Sequence, residues 1–217
     1  MARVNNPLIG HARGRVGNAV FSTWKGKNII KEKPATVANP RTANQIANRT
    51  RFTAMIGLGK LFRPVLPTGF KEYASSVTWL NRFMTVNSNS GAFFYNQPQQ
   101  KWDVDYQKLV IAEGALYPTP FSCTGSAATD ELTMLWDPNP HANQSANDDL
   151  YVAVVGPDFS IMYQKVAPRS TGTLVIDVTT VAANMSAGDL VQVIAFFQSP
   201  EGHIVSNSIG VEVNVGA

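Results

Sequence analysis

The chain has 217 residues, of which 44% are apolar and only 15% charged, against roughly a quarter charged in an average soluble domain; it is long enough to bury a real core, and its few charges suit a surface that partners cover. One cysteine, Cys123, excludes an internal disulfide or a thiolate metal cluster, and no apolar run or leader of the kind a membrane span or secretory signal needs is present, so folding in the cytoplasm is expected. The net charge of +3 hides a split: residues 1–71 carry 13 basic groups against the single acid Glu32, whereas residues 72–217 carry 5 basic and 14 acidic groups.

That division, +12 against −9, implies either a polyanion-binding segment or head-to-tail self-association, basic end onto acidic end. Its densest part is GRVGNAVFSTWKGKNIIKEKP, residues 14–34, where apolar and polar residues roughly alternate on either side of Lys25-Gly26-Lys27. This pattern predicts a basic β-hairpin. Its cations Arg13, Arg15, Lys25, Lys27, Lys31 and Lys33, with Trp24 as an apolar anchor, are the candidate contact residues.

Downstream, Pro40 disfavours helix at Asn39, and Thr42-Ala43-Asn44-Gln45 fits a capping box. A helix is expected from about Ala43 to Arg63, with Phe52, Met55, Ile56, Gly59 and Phe62 on one face and Pro64 as its stop. A second helix is expected over about 69–86. Phe70, Tyr73, Val77, Leu80 and Met84 form one apolar stripe there, and Trp79, Phe83 and Val86 form another. Two stripes mean burial on both sides. Either both meet this chain, or Trp79 and Phe83 contact another subunit. The uncharged stretch from Asn87 to Gln100 reads as a linker, with Phe93, Phe94 and Tyr95 docked onto something.

From Lys101 the period changes to that of strands, expected at 106–112, 131–137, 149–155, 160–166, 172–178, 189–197 and 204–215. The expected fold class is α+β in two domains. A basic hairpin with two helices occupies 1–100, and an immunoglobulin- or fibronectin-III-like antiparallel β-sandwich, with Trp136 as a core aromatic, occupies 101–217.

The residues of chemistry do not assemble. His11, His141 and His203 stand in unrelated contexts, and GLGKL at 57–61 lacks the spacing of a phosphate loop. The segment from Asp137 to Asp149 lacks the central glycine and terminal glutamate of a calcium loop. Matches to N-x-[ST] at Asn48, Asn143 and Asn184 mean little without a secretion signal. Cys123 has no basic neighbour in sequence to activate it. The expectation is a non-enzyme without cofactor or metal.

The order Gly14-Arg15-Val16-Gly17-Asn18, then Trp24-Lys25-Gly26, then Pro34, then Asn39-Pro40-Arg41-Thr42 with Gln45, resembles an uncharacterised family from Bacteroidota genomes and their phages. GFKEYA at 69–74 and the Trp136-Asp137-Pro138-Asn139 element are similar too. The resemblance implies a phage or prophage setting and no known activity. The resulting expectation is a structural protein of a bacteriophage virion, an oligomer assembled in the host cytoplasm through protein–protein contacts. Its partners are then other copies of itself or neighbouring structural proteins, with the lysines meeting acidic loops such as Asp148-Asp149. Nucleic acid held through phosphates is the second choice. A membrane partner is not expected, because the cations are spread over strands and a capped helix rather than one amphipathic face.

Overall fold

The computed structural model describes residues 2–4, 13–24, 26–36, 39, 41–156, 160–179 and 186–216, with the side chains of residues 2–4, 24, 166 and 167 left aside. Lys25, His11, Pro40 and Asn184 lie outside the described residues. The chain forms two compact units, Met1–Gln45 and Ile46–Ala217.

The first unit holds four short strands, β1 (Ala2–Val4), β2 (Gly14–Val16), β3 (Ala19–Trp24) and β4 (Lys27–Glu32), in the antiparallel order β1-β4-β3-β2. The hairpin expected around Lys25-Gly26-Lys27 is present, with Trp24 directly opposite Lys27. A second two-residue turn, Gly17-Asn18, joins β2 to β3. Both turns use left-handed backbone, Gly17 at φ +57° and Gly26 at φ +73°, which glycine adopts without a Cβ clash.

α1 (Ala43–Leu61) begins where the capping signal places it, and the Gln45 backbone N–H donates to Thr42 Oγ1 at 3.4 Å. The single helix expected over 69–86 is instead broken into α2 (Leu66–Gly69), a 3-10 turn at Lys71–Tyr73, and α3 (Trp79–Asn89), which Thr78 caps by accepting from the Asn81 N–H. The break has a cause at each end. A Cβ on Gly69 would stand 2.1 Å from the Ile111 carbonyl oxygen, so the backbones touch there. Beyond it, the Glu72 carboxylate accepts from the Ala115 and Val205 backbone N–H groups and pins the bend.

The expected linker at 87–100 is structured. After α3 the chain pairs β5 (Phe93–Asn96) with β6 (Lys101–Val104), and Phe93 is buried. The strand expected at 106–112 is a 3-10 turn, Tyr106–Lys108, capped by Asp105, and then an extended segment held by side chains: Asn87 bridges the Val110 N–H and C=O, and Ser208 Oγ accepts from Ile111 and Ala112.

Seven strands follow: β7 (Phe121–Ser126), β8 (Glu131–Trp136), β9 (Asp149–Val155), β10 (Ile161–Pro168), β11 (Thr173–Asp177), β12 (Leu190–Gln198) and β13 (Ile209–Gly216). They form one sheet in the order β10-β9-β12-β13-β7-β8-β11, antiparallel except where β13 runs parallel to β7 at Val215 and Gly216. The protein is thus α+β, with few helices and a large, mostly antiparallel sheet.

β9 and β12 are buried on both faces, which explains their unbroken apolar runs. Leu150, Val152 and Val154 with Val191, Val193, Ala195 and Phe197 join Leu132, Met134, Trp136 and Ile176 in one core. Ala153, Val155, Ile194 and Phe196 join Met55, Leu58 and Phe83 of the helices, and Phe62 and Phe70 of the turns that follow α1 and α2, in a second. The expected boundary at residue 100 therefore falls inside a unit whose helices and sheet share a core.

Candidate interaction surface

Across the first unit, directly opposed residues share a face. Arg15 opposes Val20, which opposes Lys31; Ser22 opposes Ile29; Lys27 opposes the end of β3. Arg15, Lys27 and Lys31 therefore stand on one face, Lys33 continues the same alternation just beyond β4, and Arg13 precedes β2 across Gly14, whose φ of +118° breaks the alternation there. The acid Glu32 falls on the opposite face with Ala19, Phe21 and Ile30. The alternation thus sorts four of these five cations from the acid and leaves Val20 and Ile29 as an apolar floor between them.

All five side chains are exposed, and no described residue of the first unit is buried. Arg15 Nε donates to the Gly17 carbonyl at 2.8 Å, which fixes the guanidinium beside the turn. The Lys33 backbone N–H donates to the Asn18 carbonyl at 2.8 Å and extends the ladder past β4. Among the described residues none of the five enters an ion pair. By contrast, Arg82, Lys101, Lys108, Lys165 and Arg169, the five cations beyond residue 71, each meet a carboxylate: Glu113, Asp103, Asp105, Asp149 and Asp148 respectively. Positive charge left unneutralised on an uncovered sheet face is what an anionic partner would recognise.

The other candidate contact residues divide. Trp24 ends β3 opposite Lys27, its side chain outside the description, and Lys25 lies outside the described residues altogether. Trp79 is half-buried and packs against this chain's own core. Phe83 is wholly buried there, with its ring 3.1 Å from where a Cβ on Gly59 would stand. The second apolar stripe thus turns inward rather than toward a partner, and within GLGKL the buried Gly59 lets α3 approach through Leu80 and Phe83, while Gly57 faces open space. The acidic target Asp148 is also corrected: it is 1% exposed and accepts from Arg169 Nε at 3.1 Å, while Asp149 is held by Lys165 at 2.8 Å.

A cavity of about 610 Å³ lies beside Tyr117, Thr119, Asp137, His141 and Gln144. Its polar groups already serve the loop. Gln144 Nε2 donates to the Tyr117 carbonyl and to Thr119 Oγ1, and Gln144 Oε1 accepts from the His141 N–H. Asp137 accepts from the Asn139 N–H and meets His141 Nε2 at 3.1 Å, contacts that hold its carboxyl below the usual range. Burial pushes the Cys123 thiol up to about 11, which suppresses the thiolate a nucleophile needs. Among the described residues no three His, Cys, Asp or Glu side chains are grouped as metal ligands, and no helix is long and apolar enough to cross a membrane.

Comparison with known proteins adds a family. Residues 11–212 match the family described as "Family of unknown function (DUF6266)", and the chain belongs to it. No curated protein matches the sequence. Among solved structures, a family 76 glycoside hydrolase from a bovine Bacteroides thetaiotaomicron strain aligns with a TM-score of 0.35 at 7% identity, over 46% of this chain and 21% of that one. The FN1–FN3 domains of chicken CNTN1 align with a TM-score of 0.35 at 17% identity, over 48% of this chain and 35% of that one. The chain thus spans about a fifth to a third of the solved structures it aligns with.

Proposed function

We propose that this member of the DUF6266 family is a non-enzymatic structural subunit that docks into a larger assembly through the cationic face of its N-terminal sheet. The observation that carries the reading is the sorting of Arg15, Lys27, Lys31 and Lys33 onto one face, exposed together with Arg13 and without ion-pair partners among the described residues. Each exposed ion pair formed on docking contributes at most about 1 kcal/mol, so the charges orient the contact while Val20 and Ile29 supply apolar area. The assembly we propose is a phage virion, put together in the host cytoplasm; that setting rests on the resemblance of the Gly14–Gln45 motifs.

The larger unit belongs to the same proposal as an immunoglobulin- or fibronectin-III-like sandwich. In support, β7, β8 and β11 at one end of the sheet and β9, β12 and β13 toward the other contribute alternate residues to a common core, so the sheet curls over itself. Such a module is a scaffold, and its shape carries no activity.

The deciding experiment compares sedimentation of the full chain with a chain beginning at Ile46, and asks which co-fractionates with phage particles. Association and co-fractionation of the full chain alone support the reading; a full chain that stays monomeric and free of particles overturns it. The second reading, nucleic acid on the same cations, is favoured by their spread over a sheet face. A gel shift separates the two, since binding retained at about micromolar affinity in physiological salt indicates a nucleic-acid protein, and binding lost there indicates docking.

A further inference from the structure

The outward face of β7, β8 and β11 presents the opposite pattern to the N-terminal sheet. Ser122, Leu135 and Thr173 form one row across it, Thr124, Thr133 and Val175 a second, and Ser126, Glu131 and Asp177 a third. Leu135 and Val175 are 51% and 53% exposed. Glu131 and Asp177 are directly opposed across β8 and β11, and Asp130 precedes them in sequence. Like charges in that position are destabilising. Neither Glu131 nor Asp177 enters an ion pair among the described residues, and residues 121–136 and 173–179 contain no Lys or Arg. β11 is also the last strand of its sheet among the described residues, with no described strand paired to its outer edge. An acidic, partly apolar face with opposed carboxylates calls for a cationic, partly apolar partner.

We infer that this face seats the cationic face of the N-terminal sheet from a second copy of the chain. Arg15 and Lys31 stand a strand apart on one surface with Val20 between them, and Glu131 and Asp177 are neighbours on the other with Leu135 and Val175 alongside. The match is one of sign and of mixed polar and apolar character: exposed cations with Val20 and Ile29 on one side, carboxylates with Val175 and Leu135 on the other. The two surfaces differ, so the contact is heterologous. It takes the open form, which leaves one unused face at each end of a pair and propagates into rings or filaments, and not a reciprocal exchange of sheets within a dimer. A face of three or four short strands covers about 20 Å by 15 Å, well under the roughly 800 Å² per partner of a stable pair. Each contact is therefore weak alone and effective in an array, where neighbours raise the local concentration.

The inference rests on the assembly reading, and the test separates their failures. Two variants of the full chain are prepared, Arg15→Glu/Lys31→Glu and Glu131→Lys/Asp177→Lys, with circular dichroism and melting to confirm that both fold. Sedimentation equilibrium at low salt is expected to show a concentration-dependent series beyond the dimer for the wild type, and association weakened about tenfold or more in each variant alone. An equimolar mixture of the two is expected to recover association, because every junction then pairs opposite signs. If the wild type associates, with itself or with particles, and is insensitive to either reversal, or only to the first, the second-copy contact is overturned while the assembly reading stands. If the wild type stays monomeric and free of particles, both fall.

Discussion

The two units solve opposite problems. The body from Ile46 onward has two cores and a carboxylate for each of the five cations beyond residue 71, although its Lys60, Arg63 and Lys71 enter no ion pair among the described residues. Among the described residues, the N-terminal sheet has none that is buried and no cation in an ion pair. A sheet of short strands with neither a core nor charge neutralisation gains little from folding alone. What the difference teaches is where each region's energy comes from: the body's from its own chain and, on the proposed docking, the sheet's from the partner that covers it.

The largest expected effect breaks the body. Arg169 is fully buried, donates to Asp148 and Thr119, and stacks 4.0 Å from the Phe197 ring centroid. Replacing it by Met strands a buried carboxylate, and Arg169→Met is expected to cost about 3–5 kcal/mol in urea unfolding. The double variant Arg169→Met/Asp148→Leu should recover part of that loss. A cost under about 1 kcal/mol for the single variant would mean that water reaches the pair.

Phe83→Ala is the next largest and tests which region owns that side chain. Deleting a wholly buried ring leaves a cavity between α1 and α3, at an expected cost of about 3–4 kcal/mol. Self-association, measured by sedimentation at temperatures where the variant stays folded, should be unchanged. A variant of near-native stability with impaired association would return Phe83 to a partner surface.

Parts of this contrast were legible in the sequence and parts were not. The hairpin, the capped start of α1 and six of the seven strands of the large sheet follow from alternation, from Thr42 and Gln45, and from turn residues, all local signals. Where tertiary contacts overrode local pattern, the expectation failed. An apolar stripe does not reveal that Gly69 must touch the backbone at Ile111 or that Glu72 binds two distant N–H groups, so the broken helix reads as one. β7 is small and polar because its outer face carries Ser122, Thr124 and Ser126, and it passes for a loop. The basic surface was visible as composition. Its sharpening into one face needs the register, which counting odd positions in β2 and β4 would have supplied.

A smaller effect concerns pH. Burial raises the Cys123 thiol from about 9 to about 11. Below pH 9 the thiol is protonated in both the folded and the unfolded state and costs nothing. As pH rises past 9 the unfolded chain releases its proton first, so stability falls through this window and levels off near 11. Because Cys123 is only partly buried, the loss should be about 1–2 kcal/mol, smaller than a two-unit shift alone implies. The difference between wild type and Cys123→Ala across that window isolates it from other alkaline titrations. An identical slope in both would assign the loss elsewhere.

The smallest stability effect makes the sharpest comparison, because it applies one chemical change to both units. Arg82 in the body is bidentate to Glu113, at 2.9 and 2.7 Å, and its guanidinium lies 4.0 Å from the Tyr73 ring centroid. Arg82→Ala removes all three contacts from a half-buried site and should cost about 1–2 kcal/mol. Arg15 in the sheet has one backbone hydrogen bond beside a turn and no carboxylate. Arg15→Ala should therefore leave the main unfolding transition within about 0.5 kcal/mol of wild type. Lys31→Ala should do the same, since Lys31 is exposed and enters no ion pair among the described residues. The two sheet variants should nevertheless weaken self-association measurably at low salt, and Arg82→Ala should not. Cations that stabilise the fold and cations that do nothing for it would then be separated by assay as they are separated along the chain. If Arg15→Ala instead lowered the main transition as much as Arg82→Ala, the sheet would contribute to the fold of the body, and its uncovered cations would need no partner to explain them.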